Sequence, residues 1–189
     1  MGQYYTAYLK REGTRRHAFS TYVDGNYMCS KLMEQSWWLN PYVNAIAKKI
    51  YKNPAVVAWV GDYADDAEDS YGNPVIPADT FKFVMNTKNN GVKSTDFTLD
   101  GKFLLNHDKN LFIDCAEYFE LSKFKWNDSD DGFWCIHPLP LLTAVGNGLG
   151  GGDYNGLDMG YIGSWAFDRI SVEDKAPEGF YAMMPTFKE

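Results

Sequence analysis

The chain has 189 residues, of which 45% are hydrophobic and 23% charged, and it carries a net charge of −7. This length and composition describe a globular protein that buries a core without metals or disulfides, and they exclude a disordered or fibrous chain. The longest apolar run, residues 55–60, is far shorter than the roughly 20 residues that cross a bilayer. We therefore expect one globular domain over residues 1–189 and no contact with membranes.

Charge is divided unevenly along the chain. Residues 1–52 hold eight Lys and Arg against three carboxylates, whereas residues 53–189 hold ten against twenty-two. Lys and Arg are absent from 53–81 and again from 126–168. Binding to nucleic acid requires cations that meet phosphates, so two such acidic stretches argue against a direct nucleic-acid contact and favour a basic protein partner.

The first half of the chain alternates between strand and helix patterns. Two apolar segments, 4–10 and 16–23, flank the turn residues Glu12 and Gly13 and predict a β-hairpin. Helical spacing follows from Tyr27 to Leu39, and a second helix begins with Asn40 as its cap and Pro41 in its first turn. Residues 55–63 then predict a strand that is buried on both faces.

The second half is predicted to be mainly β. After an acidic loop at 64–80, residues 81–85 predict a short strand and residues 97–119 a three-stranded meander. Two further strands are expected at 132–137 and 160–172. Because the helices are gathered in one early block, we expect an α+β fold with a mainly antiparallel sheet, an early two-helix block and a long glycine-rich loop.

That loop, residues 146–163, contains eight of the seventeen glycines. Its spacing of Gly146, Gly148 and Gly151 matches the G-x-G-x-x-G of dinucleotide-binding turns, but that fingerprint requires a helix to follow. The residues that follow are too rich in glycine to begin a helix. We therefore expect no cofactor here, and interpret the loop as a connection whose backbone passes close to another strand, a ligand or a partner.

One catalytic constellation is available beside the loop. Cys135 and His137 are two residues apart on a predicted strand and so share a face, and Asp153 is a candidate to orient the histidine. Backbone N–H groups at Gly150, Gly151 and Gly152 would supply an anion-binding nest. The competing interpretation is that His137 is a hydrogen-bonded structural residue and the cysteines are buried hydrophobes.

Metal binding is not predicted. The acidic loop lacks the central glycine and final glutamate of a calcium-binding EF-hand, and the other two histidines have no companion at ligand spacing. The three cysteines are an odd number at wide spacing, which is typical of free thiols in a reducing compartment. We therefore expect a cytoplasmic protein.

Tyrosines beside carboxylates in predicted loops are typical of an interaction surface. The leading hypothesis is a non-enzymatic binding protein that presents this surface to a basic partner, for example as an inhibitor of a nucleic-acid-handling protein encoded by a mobile element. The alternatives are a small enzyme or ligand-binding protein with its site between His137 and the loop 146–163, and an oligomer-forming structural protein. The residues predicted to contact the partner are Asp62, Tyr63, Asp65, Asp66, Glu68, Asp69, Tyr154 and Asp158.

Overall fold

The structure, a computed structural model, describes residues 2–87, 89–125 and 132–188. Within these ranges the strands are β1 Tyr5–Lys10, β2 His17–Phe19, β3 Tyr22–Val23, β4 Asn26–Tyr27, β5 Ala55–Gly61, β6 Phe103–Asn106, β7 Leu111–Asp114, β8 Ala144–Val145, β9 Arg169–Glu173 and β10 Tyr181–Ala182. The helices are α1 Leu32–Gln35, α2 Pro41–Ile50, α3 Ala78–Met85, α4 Cys115–Ser122 and α5 Pro138–Leu142. In this part of the chain, no helix is long and apolar enough to cross a membrane.

Eight of these strands form one sheet in the order β10-β7-β6-β9-β5-β1-β2, with β8 paired to β5 as well. Most of the pairs are antiparallel, while β10 with β7 and β8 with β5 are parallel. The strands β3 and β4 form a separate two-stranded sheet. The predicted α+β class with a mainly antiparallel sheet is confirmed.

The alternation of side chains along β1 and β5 separates the interior into two layers. Tyr5, Ala7 and Leu9 of β1 point into the larger core with the odd-numbered residues of β5, including Trp59. Tyr8 and its neighbours Ala58 and Ala18 pack in a smaller core on the opposite face. Strand β5 is therefore covered on both faces, as its apolar run predicts.

Helix α2 covers the larger core. The Asn40 side chain accepts hydrogen bonds from the backbone N–H groups of Tyr42 at 2.9 Å and Val43 at 3.3 Å, which caps the helix. Pro41 occupies the first turn, where a missing N–H costs nothing. The buried side chains Val43, Ile46, Ala47 and Ile50 recur at helical spacing, as predicted, and pack onto the sheet.

Helix α3 corrects one prediction, because residues 81–85 lie in a helix and not in a strand. Thr80 and Val84 are its buried residues, and their spacing of four places both side chains on the face that packs toward the smaller core. The aromatic and β-branched composition of this segment favoured a strand. Pro77, which lies immediately before the helix, was the better signal of a helix start.

Helix α4 corrects the predicted three-stranded meander. Strands β6 and β7 form a hairpin, but residues 97–99 lie outside the strands and the chain turns helical at Cys115. The Asp114 side chain accepts hydrogen bonds from the N–H groups of Ala116 at 3.0 Å and Glu117 at 3.2 Å. This N-cap overrides the strand propensity of the residues that follow.

Three other predicted elements are shorter than expected. The first helix covers only Leu32–Gln35, and the segment 132–137 contributes isolated bridges at Trp134 and Ile136. Of the segment 160–172, only the residues from Arg169 onward form a strand. Residues 162–167 form a series of turns and not a strand.

We expect Asn40→Ala to destabilise the protein by about 1 kcal/mol, because it leaves two N–H groups of α2 without their cap. Urea unfolding followed by circular dichroism measures the change. The matched control is Asn155→Ala, at an exposed loop position, which we expect to shift the free energy of unfolding by no more than about 0.5 kcal/mol. Equal effects of the two substitutions would contradict the role of the cap.

Candidate functional site

The glycine-rich loop lies against the start of the chain. A Cβ atom at Gly150 would lie 2.3 Å from the Cβ of Gln3 and 2.9 Å from its backbone nitrogen. At Gly152, which has a φ of +95°, a Cβ would lie 2.8 Å from the Lys31 side chain. These glycines are therefore accounted for by close approach to other segments of the chain, namely Gln3 shortly before β1 and Lys31 immediately before α1.

Asp153 links this loop to β1. Its carboxylate accepts a hydrogen bond from the Tyr5 hydroxyl at 2.9 Å, and from the Gly150 N–H at 3.1 Å. The Tyr5 hydroxyl is also 2.8 Å from Oε1 of Gln3, which is fully buried. Burial raises the pKa of Asp153, and the hydrogen bonds from Tyr5 and Gly150 oppose that shift.

A cavity of about 320 Å³ lies beside this carboxylate. Its walls include Tyr5 from β1, Gly146 and Gly148 from the loop, and Ala67 and Glu68 from the acidic segment. Among the residues that the structure describes, Glu68 and Asp153 are the charged residues that line the cavity, and no Lys or Arg lines it. The cavity thus brings together the two stretches of the chain that lack Lys and Arg.

The acidic segment 62–69 presents most of its carboxylates to solvent. Asp65, Asp66 and Glu68 are exposed and form no ion pair within the described ranges. Asp62 is half-buried and accepts a hydrogen bond from the Tyr4 N–H at 3.0 Å. Its charge contributes to raising the pKa values of both Tyr5 and Asp153, so the field of this segment reaches the cavity.

Asp69 organises the tip of the same segment. Its carboxylate accepts hydrogen bonds from the N–H groups of Tyr71 at 2.8 Å and Asn73 at 2.9 Å, and these bonds lower its pKa. The Tyr71 side chain is 88% exposed, whereas Tyr63 is half-buried. Asp69 therefore acts as a turn former that projects an aromatic ring into solvent.

Two of the predicted partner-binding residues serve the fold instead of the surface. Tyr154 is only 3% exposed, and its hydroxyl bonds to the backbone at Leu157 and Lys188. Asp158 is exposed, but its carboxylate accepts a hydrogen bond from the Thr186 N–H. Tyr154 thus corrects the expectation of an exposed ring, because contact with Phe187 and hydrogen bonds with the backbone of Leu157 and Lys188 hold it inside.

The predicted catalytic pair lies in the core. Cys135 is 2% exposed and His137 fully buried, and burial raises the thiol pKa to about 12 and lowers the imidazole pKa to about 3. His137 caps helix α5, where its Nδ1 accepts a hydrogen bond from the Leu139 N–H at 3.2 Å. The neutral ring must then carry its proton on Nε2, so neither nitrogen is free to act as a base.

Asp153 does not orient His137, because its carboxylate is bonded to Tyr5 and Gly150. The predicted anion nest is similarly occupied, since the Gly150 N–H already donates to this carboxylate. Gly151 and Gly152 are exposed and adjoin the same negative charge, which disfavours an anionic ligand. The geometry therefore favours a cation over an anion at this site.

Sequence reasoning missed Tyr5 as a member of the site. Its alternation with Ala7 and Leu9 predicts a buried strand residue, and nothing local indicates that its hydroxyl reaches a residue 148 positions away. The carboxylates at Asp128, Asp130 and Asp131, which contribute to the second stretch without Lys and Arg, lie outside the described residues. Among the described residues, no group of three His, Cys, Asp or Glu side chains is placed to hold a metal ion.

Comparison with known proteins identifies no relative: no family model, no curated protein and no solved structure matches this chain.

We expect Gly150→Ala to destabilise the protein by roughly 1–3 kcal/mol, because the added methyl group overlaps Gln3 and forces the loop away from β1. Gly160→Ala is the matched control in the same loop, since a Cβ there meets nothing within 4 Å. Denaturant unfolding of both variants measures the difference. A Gly150→Ala protein as stable as the control would contradict the close packing.

The buried His137 makes stability dependent on pH. The pKa of His137 is about 3 in the folded protein, below the ordinary value for histidine. Between these two pKa values the imidazole is protonated in the unfolded chain but neutral in the folded protein. Its contribution is complete above the unfolded pKa of about 6.5 and is lost as pH falls toward 3, at up to about 1.4 kcal/mol per pH unit. Denaturant unfolding at several pH values should show a shallower slope for His137→Asn, which keeps a capping acceptor. Parallel slopes would show that this histidine titrates normally.

Proposed function

We propose that this protein is a non-enzymatic binding protein whose acidic surface engages a basic protein partner. The observation that carries this proposal is the cavity between the acidic segment and the glycine-rich loop. Its lining contains the carboxylates of Glu68 and Asp153 with no Lys or Arg from the described residues. A cation supplied by a partner would neutralise charge that the described chain leaves unpaired.

The expected guest is one Lys or Arg side chain of that partner. The cavity has room for a long side chain, and Leu32, Val145 and Ile162 give it apolar walls that suit the methylene stem. Asp153 is held in place by Tyr5 and Gly150, so its carboxylate is preorganised to accept a charge-assisted hydrogen bond. This combination favours Arg, which forms paired bonds with carboxylates.

The surroundings of the cavity have the character of an interface. Tyr71 is 88% exposed, Leu149 83% and Met159 50%, so each presents apolar area from one of the two segments that form the cavity. Asp65 and Asp66 of the acidic segment are also exposed, and their charge would accelerate the approach of a basic surface. Exposed apolar side chains together with unpaired carboxylates support a protein partner over a small cation.

The charge also supports a narrower proposal about the kind of partner. Proteins that handle nucleic acid carry basic grooves, and a surface of unpaired carboxylates is complementary to such a groove. We propose that the protein blocks such a groove, as an inhibitor of a nucleic-acid-handling protein would. The origin of that target in a mobile element is a proposal by analogy.

The test uses a fluorescein-labelled nona-arginine peptide as the probe and fluorescence anisotropy as the readout. We expect saturable binding that weakens steeply with added salt, because the contact is electrostatic. The double variant Glu68→Gln, Asp153→Asn should bind about tenfold more weakly, which corresponds to about 1.4 kcal/mol. Binding by the wild type should strengthen as pH rises through the raised pKa of Asp153, since the guest requires the ionised carboxylate.

The matched control is Glu178→Gln, which removes one exposed carboxylate outside the cavity lining. We expect it to leave the affinity for the peptide nearly unchanged. Binding that is insensitive to salt would remove the electrostatic basis of the proposal. An equal loss of affinity in the control and the double variant would move the contact away from the cavity.

A further inference from the structure

A second, larger cavity of about 1090 Å³ lies on the face of the sheet that carries the smaller core. It is lined by the turn of the β1–β2 hairpin, the start of β5, the start of β9 and residues from Val75 to Thr80. Its volume of about 1090 Å³ slightly exceeds the roughly 300–1,000 Å³ that small-molecule sites occupy. The proposed binding of a basic partner does not use this cavity.

The sheet register aligns two cations across its floor. Lys10 of β1 lies directly opposite Val56 of β5, and Val56 lies directly opposite Arg169 of β9. Residues that lie opposite each other share one face, with Cβ atoms about 5 Å apart, so Lys10 and Arg169 stand about 10 Å apart across Val56. A ligand seated on Val56 therefore has a cation on either side.

The hairpin turn adds more positive charge to the rim. Arg11 and Arg16 join Lys10 and Arg169 in the lining, against the single carboxylate of Glu12 in the described lining. Asp79 pairs with Arg16 at 2.5 Å and Asp108 with Arg169 at 2.8 Å. Two cations remain without a carboxylate partner among the described residues, Lys10 and Arg11.

Arg11 extends toward the other face of the sheet. Its guanidinium donates to the backbone carbonyl of Lys49 in α2, the helix that covers the larger core. Burial, followed by the charge of Arg11, lowers the pKa of the Lys49 amine. The cations that flank the floor of this cavity are therefore Lys10 and Arg169.

The floor between these cations is apolar and aromatic. The Tyr8 and Phe167 rings meet edge to face with their centroids 6.1 Å apart, and Val56 lies beside them in the lining. Phe167 has a φ of +64°, a left-handed conformation that costs a non-glycine residue roughly 1–2 kcal/mol. Its N–H donates to the Val57 carbonyl at 2.8 Å, so the main chain of β5 holds the residue in this conformation. Strain of this kind is often retained where a side chain must face a ligand.

We propose that this cavity binds a small molecule that joins an oxyanion, a phosphate or a carboxylate, to a flat apolar ring. The ring lies on Tyr8, Val56 and Phe167, and the oxyanion contacts Lys10 and Arg169, which lie on either side of Val56. Guanidinium groups pair with either oxyanion in the same forked geometry. An anionic ligand of this kind would be repelled by the carboxylates of the smaller, acidic cavity.

Isothermal titration calorimetry on the full chain tests this with two anionic probes, adenosine 5′-monophosphate and 2-naphthoate. Their neutral counterparts are adenosine and 2-naphthalenemethanol, and inorganic phosphate measures the oxyanion alone. We expect at least one anionic probe to bind saturably and at least fivefold more tightly than its neutral counterpart. The probe that binds distinguishes a phosphate from a carboxylate ligand, and binding of inorganic phosphate as tightly as of adenosine 5′-monophosphate would overturn the role of the ring.

The variants separate charge from ring. Lys10 is exposed and unpaired, so we expect Lys10→Gln to fold normally and to weaken binding of the anionic probe about fivefold. The control is Lys175→Gln, beyond the opposite end of β9, which we expect to leave binding of the anionic probe unchanged. Phe167→Leu should weaken binding of the anionic probe and of its neutral counterpart to the same extent, because both probes contain the ring. If Phe167→Leu fails to fold, the comparison of Lys10→Gln with the wild type tests the proposal. Equal affinity of Lys10→Gln and the wild type, or no saturable binding of either anionic probe up to about 5 mM, would overturn the proposal.

Discussion

The burial of strand β5 on both faces is the constraint on which the rest of the structure depends. Its backbone is paired with β1 along one edge and with β9 and β8 along the other, so every polar main-chain group must be satisfied by those neighbours. Its two faces then require two covers. Helix α2 covers the face of the sheet that carries the larger core. Helix α3 and the acidic segment cover only part of the opposite face. The larger cavity lies where this second cover is incomplete, and the smaller cavity lies where the glycine-rich loop meets the acidic segment and β1.

The cavities divide the charge of the molecule. Val75 lines both, so a single segment of the chain separates a site lined by carboxylates from one lined by Lys and Arg. The acidic site derives from the later part of the chain and the basic site mainly from the first hairpin, which matches the uneven charge of the sequence. A net charge of −7 conceals this separation, because it sums two regions with opposite preferences for a ligand.

Local signals in the sequence predicted the elements that depend on few residues. The hairpin around Gly13, the cap and proline at the start of α2 and the apolar run of β5 each appear as expected. The signals failed where a cap or a turn overrode composition, as Asp114 does for α4. The candidate site was only partly predictable: the importance of Asp153 and Glu68 follows from charge, but their meeting with Tyr5 depends on tertiary contacts. His137 is buried against the Trp38 ring, a tertiary contact that no local sequence pattern indicates.

The contact between Tyr5 and Asp153 also constrains how the protein is made. These residues are 148 positions apart, so the first strand is synthesised long before the loop that packs against it. At about 5–20 residues per second, translation leaves that strand without its loop for roughly 7 to 30 s. During that interval its Tyr5 hydroxyl and the side of Gln3 remain open to water or to other chains. The loop can therefore dock on the first strand only after most of the chain has been synthesised.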